Sequence, residues 1–163
     1  MSDLQYSQRI IDQMITAWKS QNKGVDKFFG EYADDVYLKE VAPKRNRAIY
    51  LLGHLVAVND GLLPLFMLGD KLYPELTADF LSAPDNVATQ MPTIAELKTK
   101  WKELNVKLEE GFSKMSVEDW MGRHTSVTEE DFAKEPHRNK LNVLISRINH
   151  QAYHLGQLKL LNA

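Results

Sequence analysis

Four long segments of the chain repeat apolar residues at spacings of three and four, the pattern of helices that bury one face. The first runs from about Leu4 to Asn22, and we expect Lys23-Gly24 to end it because glycine readily takes the left-handed conformation of helix ends. The second runs from about Arg45 to Leu68. We expect Pro64 to kink or end it, since proline lacks the amide donor that a helix needs.

The third and fourth helices have clearer starting points. Thr93 and Glu96 form a capping box at the start of the third, and the fourth runs from about Asn139 to the end of the chain. Shorter helical turns are expected around Phe28 to Tyr32 and after Ser116. Because no segment favours a strand, the sequence predicts an all-α fold, a four-helix bundle formed as one domain over residues 1–163.

Composition narrows the possible functions. The chain has 163 residues and a net charge of -2, which argues against broad electrostatic binding to nucleic acid or to an anionic membrane. It has no cysteine, which excludes disulfides, thiolate metal sites and a cysteine nucleophile. The N-terminus does not resemble a signal peptide, and the longest apolar run, Leu62 to Leu68, is too short to span a membrane. We therefore expect a cytoplasmic protein.

Two of the five histidines have a spacing that suits metal binding. His150 and His154 are four residues apart, so on a helix their rings lie one above the other and can reach one ion. They lie opposite the main apolar stripe of the fourth helix, on a second face with Arg147 and Gln157. His54 lies at the edge of the apolar face of the second helix. A structural or solvated histidine pair remains the alternative to a metal site.

Several metal chemistries are disfavoured by the residues nearby. Gln151 follows His150 where a zinc protease needs a glutamate general base. The chain contains no Glu-x-x-His sequence, so a carboxylate-bridged di-iron site is excluded. Haem bound between helices stays possible, although no residue pattern supports it.

Two motifs resemble the DinB/YfiT-like family. The segment Asn149 to Leu158, with its two histidines and Gly156-Gln157, is similar to the closing segment of that family. The segment Leu51 to Asp60 is similar to the family's second-helix motif, which supplies a third histidine. About a hundred residues separate the motifs, and helix order and lengths match along essentially the whole chain.

This resemblance implies a four-helix bundle with up-down-down-up connectivity and a divalent metal ion bound by His54, His150 and His154. Histidine ligands suit several divalent metals, so the sequence leaves zinc, nickel, iron and manganese open as the ion. Leu155 stands where family members often have arginine, so a contact between that arginine and a substrate anion is not expected. His124 and His137 have no counterpart and are expected at the surface.

The resemblance leaves three hypotheses on the function of the chain. Some family members are metal-dependent transferases that activate a low-molecular-weight thiol, and thiol transfer or hydrolysis is therefore the first hypothesis. A non-catalytic metal-binding or stress-response protein is the second, and a bundle with a vestigial site is the third. The sequence does not name a substrate, and a thiol would have to come from a cosubstrate because the chain has none.

Two further expectations concern the surroundings of the site. Asn149, Asp60 and Gln157 are the polar candidates for orienting the histidine rings, and an exposed or capping role is the alternative for each. The family often forms homodimers, and we expect a homodimer here, with an exposed apolar patch formed by aromatic residues of the first connection: Phe28, Phe29, Tyr32 and Tyr37.

Overall fold

A computed structural model describes residues 2–87 and 91–161. Within them the chain is mostly helical, and the prediction of an all-α fold is confirmed. The α-helices are α1 (Asp3–Phe28), α2 (Ala48–Asp60), α3 (Leu62–Leu65), α4 (Ile94–Phe112), α5 (Val117–Met121), α6 (Glu129–Lys134) and α7 (Lys140–Leu158). A 3-10 helix at Asp34–Leu38 and a π-helix at Ala78–Ser82 lie in the connections. The described residues contain two isolated β-bridges and no strand.

Helix starts follow the capping signals of the sequence. Thr93 and Glu96 form the predicted capping box of α4, in which each side chain accepts from the other residue's backbone N–H. Ser116 caps α5 in the same way, and Asn139 caps α7 through its side-chain oxygen. The prediction that the last helix continues to the end of the chain is wrong for α7, which ends at Leu158; residues 162–163 lie outside the described residues.

The predicted end of α1 at Lys23-Gly24 is wrong. The helix continues for another turn, and Val25 and Phe28 are fully buried on its inner face. Gly24 serves close packing instead, because a Cβ atom there would lie 2.6 Å from Cδ2 of Leu155 on α7. The separate short helix expected around residues 28–32 is therefore absent, and the first connection contains the 3-10 helix.

The second predicted helix is broken where Pro64 predicts a break. The helix ends at Asp60, and Pro64, which has no N–H to donate to the Asp60 carbonyl, lies in the single turn α3. The window Ala48–Leu65 is apolar and long enough to span a membrane by composition, contrary to the expectation that no window would be. Most of this window is buried inside the fold, as expected for a core helix.

The aromatic residues of the first connection do not form the expected exposed patch. Phe28, Phe29 and Tyr37 are buried, and only Tyr32 is appreciably exposed. The Tyr37 hydroxyl donates to the Phe28 carbonyl at 2.8 Å and accepts from the Tyr32 backbone N–H at 2.9 Å. The three buried rings belong to the hydrophobic core, so they give no support for a dimer interface, and the homodimer stays a prediction.

The four longer helices pack in a closed series of pairs. Helix α7 packs on α1 and α2, and α4 packs on the same two helices. The core between them contains three fully buried tryptophans, Trp18, Trp101 and Trp120. The α2–α7 contact decides the functional geometry, because it places His54 beside the histidines of the last helix.

One glycine of α2 permits a close approach that positions His54. The ring of Phe80, in the π-helix, lies directly on Gly53, where a Cβ atom would come within 2.2 Å of the Phe80 Cε1 atom. At Gly156 in α7, by contrast, a Cβ atom would meet nothing within 4 Å. The two glycines therefore differ in what an added methyl group would do.

We predict opposite effects for Gly53→Ala and Gly156→Ala. The first should lower the free energy of unfolding by about 1–3 kcal/mol because the buried Phe80 ring must move. The second should raise it by about 0.5–1 kcal/mol because alanine is the better helix former. Urea unfolding of the metal-free protein measures both, and equal effects at the two positions would contradict the close packing of Phe80 on Gly53.

Candidate metal centre

Three histidines from two helices converge on one point. His54 of α2 and His150 and His154 of α7 each offer a ring nitrogen, and the three nitrogens all lie within 4.8 Å of one another. The Nε2 atom of His150 lies 3.2 Å from that of His54 and 3.0 Å from that of His154. His154 is buried, and the other two are partly buried.

A backbone carbonyl sets the orientation of His54. Its Nδ1 lies 2.8 Å from the carbonyl oxygen of Phe80, which can only accept a hydrogen bond. The proton of the neutral ring is therefore on Nδ1, and Nε2 presents a lone pair to the other histidines. The Tyr50 ring lies nearly parallel to the His54 ring on the same side of α2.

A side-chain amide orients the His154 ring, again through its Nδ1 atom. Its Nδ1 lies 2.7 Å from Oε1 of Gln157, and Nε2 of Gln157 donates to the Tyr153 hydroxyl at 3.1 Å. Because the amide N–H group faces Tyr153, the oxygen faces the ring, and His154 donates from Nδ1. Its Nε2 therefore also presents a lone pair towards His150.

This arrangement favours a bound cation. His150 has at most one proton on Nε2, so when all three rings are neutral at least one of its two short contacts brings two lone pairs together. A metal ion would replace that repulsion by coordination. Two nitrogens bound to one ion at about 2.1 Å lie about 3.0 to 3.4 Å apart for right-angled to tetrahedral geometry, which fits the spacings of His150 from His54 and from His154.

The electrostatics keep His150 neutral, as a metal ligand must be. Burial lowers its pKa to about 4, and the neighbouring His154, His54 and Arg147 contribute to the lowering. Burial also lowers the pKa of His154, an effect that its hydrogen bond to Gln157 opposes. The Nδ1 atom of His150 is buried without a hydrogen-bond partner among the described residues, so coordination through Nε2 would fix this ring.

The predicted site residues meet different outcomes. The structure brings His54, His150 and His154 together, whereas His137 is exposed and His124 is partly buried away from the cluster. Gln157 orients a ring, as predicted for a residue next to a ligand.

Asp60 and Asn149 do not have the predicted role. The Asp60 carboxylate accepts from the backbone N–H groups of Leu72 and Tyr73, and Asn149 is exposed. Sequence reasoning missed the Phe80 carbonyl, because a backbone group leaves no signal in side-chain pattern. It also did not anticipate that the Tyr153 hydroxyl accepts from Gln157, the residue that orients His154.

Comparison of the chain with protein-family models and with curated proteins finds no match. The three-histidine cluster is therefore the principal evidence on function.

We predict that alanine at His54, His150 or His154 abolishes stoichiometric binding of a divalent metal, because each removes one of three ligands. Alanine at His137, an exposed histidine away from the cluster, should leave the metal content unchanged. Elemental analysis after dialysis measures the metal-to-protein ratio. Full occupancy in all three ligand variants would disprove the triad.

We also predict that the metal-free protein loses stability as the pH falls from about 6.5 to about 4. Within that range the unfolded chain protonates His150 and the folded chain does not, so acid favours unfolding. Urea unfolding of chelator-treated protein at several pH values measures the effect, and His150→Gln should reduce its slope. A wild-type slope equal to that of the variant would contradict the lowered pKa.

Proposed function

We propose that the chain is a divalent-metal-binding protein of the DinB/YfiT-like kind, a four-helix bundle with up-down-down-up connectivity. The observation that carries the proposal is the convergence of the three histidine Nε2 atoms from α2 and α7. The closed series of contacts among the four longer helices supports the bundle.

We infer further that the protein is a metal-dependent enzyme that transfers a thiol to an electrophile. Three protein ligands leave at least one coordination position open, which is typical of catalytic sites. A bound divalent ion lowers the pKa of a thiol or water molecule that occupies such a position. Because the chain lacks cysteine, the thiol comes from a low-molecular-weight cosubstrate.

The composition of the cluster favours thiol transfer over hydrolysis. Among the described residues, no carboxylate belongs to the group that surrounds the metal position. Attack by water benefits from a general base, whereas a thiol, with an ordinary pKa of about 8.5, needs less help to ionise. A site made of neutral imidazoles alone therefore suits the thiol better.

A cation beside the triad indicates the charge of the cosubstrate. Arg147 lies one helical turn before His150 and lowers its pKa, so the two groups are close. Burial lowers the pKa of Arg147 itself, and its Nε atom is buried without a hydrogen-bond partner among the described residues. An anionic group on the thiol would supply that partner.

The test loads the protein with zinc, nickel, iron(II) or manganese in turn and adds chlorodinitrobenzene, a chromogenic electrophile. The panel of thiols contains neutral and carboxylate-bearing members. In the proposed reaction the thiolate sulfur bonds to the ring carbon, chloride leaves, and the thiol proton passes to the buffer. We predict turnover that needs both metal and thiol, with lower KM for the anionic thiols.

Two matched variants control this experiment. His54→Ala should abolish thiol-dependent turnover, and His137→Ala should retain it. Release of chloride from the electrophile without any thiol would indicate metal-assisted hydrolysis instead of thiol transfer. Stoichiometric metal with no turnover under any condition would favour the non-catalytic metal-binding protein.

A further inference from the structure

A cavity of about 380 Å³ lies at the opposite end of α7 from the histidines. Residues from the second half of α4, the segment after α3 and the start of α7 line it. At about 1.5 Å per residue, the helix from Lys140 to the histidines spans roughly 15–21 Å. The cavity is therefore separate from the candidate metal centre.

Lys140 lines this cavity with a charged side chain that is almost fully buried. Only 4% of the residue is exposed, and its Nζ donates to the carbonyl oxygen of Asp119 at 3.1 Å. An ammonium group has three N–H donors, and this is the one acceptor found for them within residues 2–87 and 91–161. No ion pair to Lys140 is formed in that part of the chain.

The position of Lys140 adds to the cost of its charge. It is the first residue of α7, where the helix dipole disfavours a cation. Burial lowers its pKa, the Asp119 carboxylate opposes this, and Arg123 adds to it. A buried cation with unused donors at this end of a helix destabilises the fold unless an anion accompanies it.

The rest of the cavity has the character of a site for such an anion. Lys107 and Lys114 also line it, and neither forms an ion pair within the described part of the chain. Two carboxylates, those of Glu110 and Asp119, also line the cavity beside the three lysines. The cavity is therefore net positive in a chain whose overall charge is -2.

One wall of the cavity is apolar. Phe66, Met67, Leu68 and Met115 line it. Leu68 is packed over Gly111, where a Cβ atom would lie 2.7 Å from its Cδ1. Met67 is 67% exposed and has a φ of 63°, an uncommon conformation for a residue with a side chain. The chain thus holds an exposed apolar side chain beside the lysines.

We propose that this cavity binds a small amphipathic oxyanion, a carboxylate or phosphate monoester with a short apolar chain. The oxyanion accepts hydrogen bonds from Nζ of Lys140, and the apolar chain contacts the wall formed by Met67 and Met115. The volume is within the range of about 300–1,000 Å³ found for small-molecule sites. The proposal does not depend on the metal centre or on its function.

Calorimetric titration of the wild-type protein with octanoate, octyl phosphate and octanol tests the proposal. We expect both anions to bind, and octanol, which has no charge, to bind much more weakly. The anion that binds with higher affinity shows whether the site prefers a carboxylate or a phosphate. Lys140→Met keeps the length of the side chain and removes its charge, and it should weaken anion binding about tenfold or more. Lys134→Met, at an exposed lysine of α6, is the matched control and should bind as the wild type does.

A second variant covers the possibility that Lys140→Met fails to fold. Lys107 and Lys114 are exposed, so replacing both by glutamine leaves the core intact and should weaken anion binding and its salt dependence. Three results would overturn the proposal: no binding of either anion by the wild type, equal affinity for octanol, or unchanged affinity in a folded Lys140→Met protein or in the double variant.

Discussion

The geometry of the candidate metal centre depends on a close contact between α2 and the segment that contains the π-helix. Because Gly53 has no Cβ, the Phe80 ring can lie against the backbone of α2. The backbone carbonyl of Phe80 then reaches Nδ1 of His54. Two further contacts on the same side of α2 hold the segment. The Tyr50 hydroxyl donates to the Ala83 carbonyl at 2.7 Å, and Arg47 forms an ion pair with Asp85 at 2.6 Å. His54 is thus oriented from one side and faces α7 on the other.

The three histidines connect parts of the chain that are far apart in sequence. Nε2 of His54 and Nε2 of His150 are 3.2 Å apart across the α2–α7 contact, although 96 residues separate them. Without a cation the lone pairs of the clustered imidazoles repel one another, and burial lowers the pKa of His150 and of His154, so the site costs stability. A ligand that binds only the folded state converts this cost into stabilisation. Binding of a metal ion by the three rings would therefore be coupled to the packing of these two helices.

The sequence predicted those parts of the structure that depend on local pattern. The four-residue spacing of His150 and His154, the capping box at Thr93 and the break at Pro64 each reflect interactions within a few residues. The errors arose where distant packing decides the outcome. Gly24 continues α1 because Leu155 of a remote helix packs against it. Phe28 and Tyr37 are buried because the connection folds back over them, and no periodicity encodes that.

The buried polar groups of the last helix are of two kinds, which differ in the hydrogen-bond partners that they have. Gln151 donates to Asn22 at 2.6 Å and Asn22 donates to Asn105 at 3.2 Å, so neutral amides link α7, α1 and α4 inside the core. The side-chain amide oxygen of Gln151 has no hydrogen-bond partner within residues 2–87 and 91–161, which costs far less than an unpaired charge. The ammonium of Lys140 is a different case, because its charge is buried with one neutral acceptor. Since a fold tolerates such conflicts mainly at functional positions, Lys140 and the histidines are where ligands are expected, and the amides are where helix packing is specified.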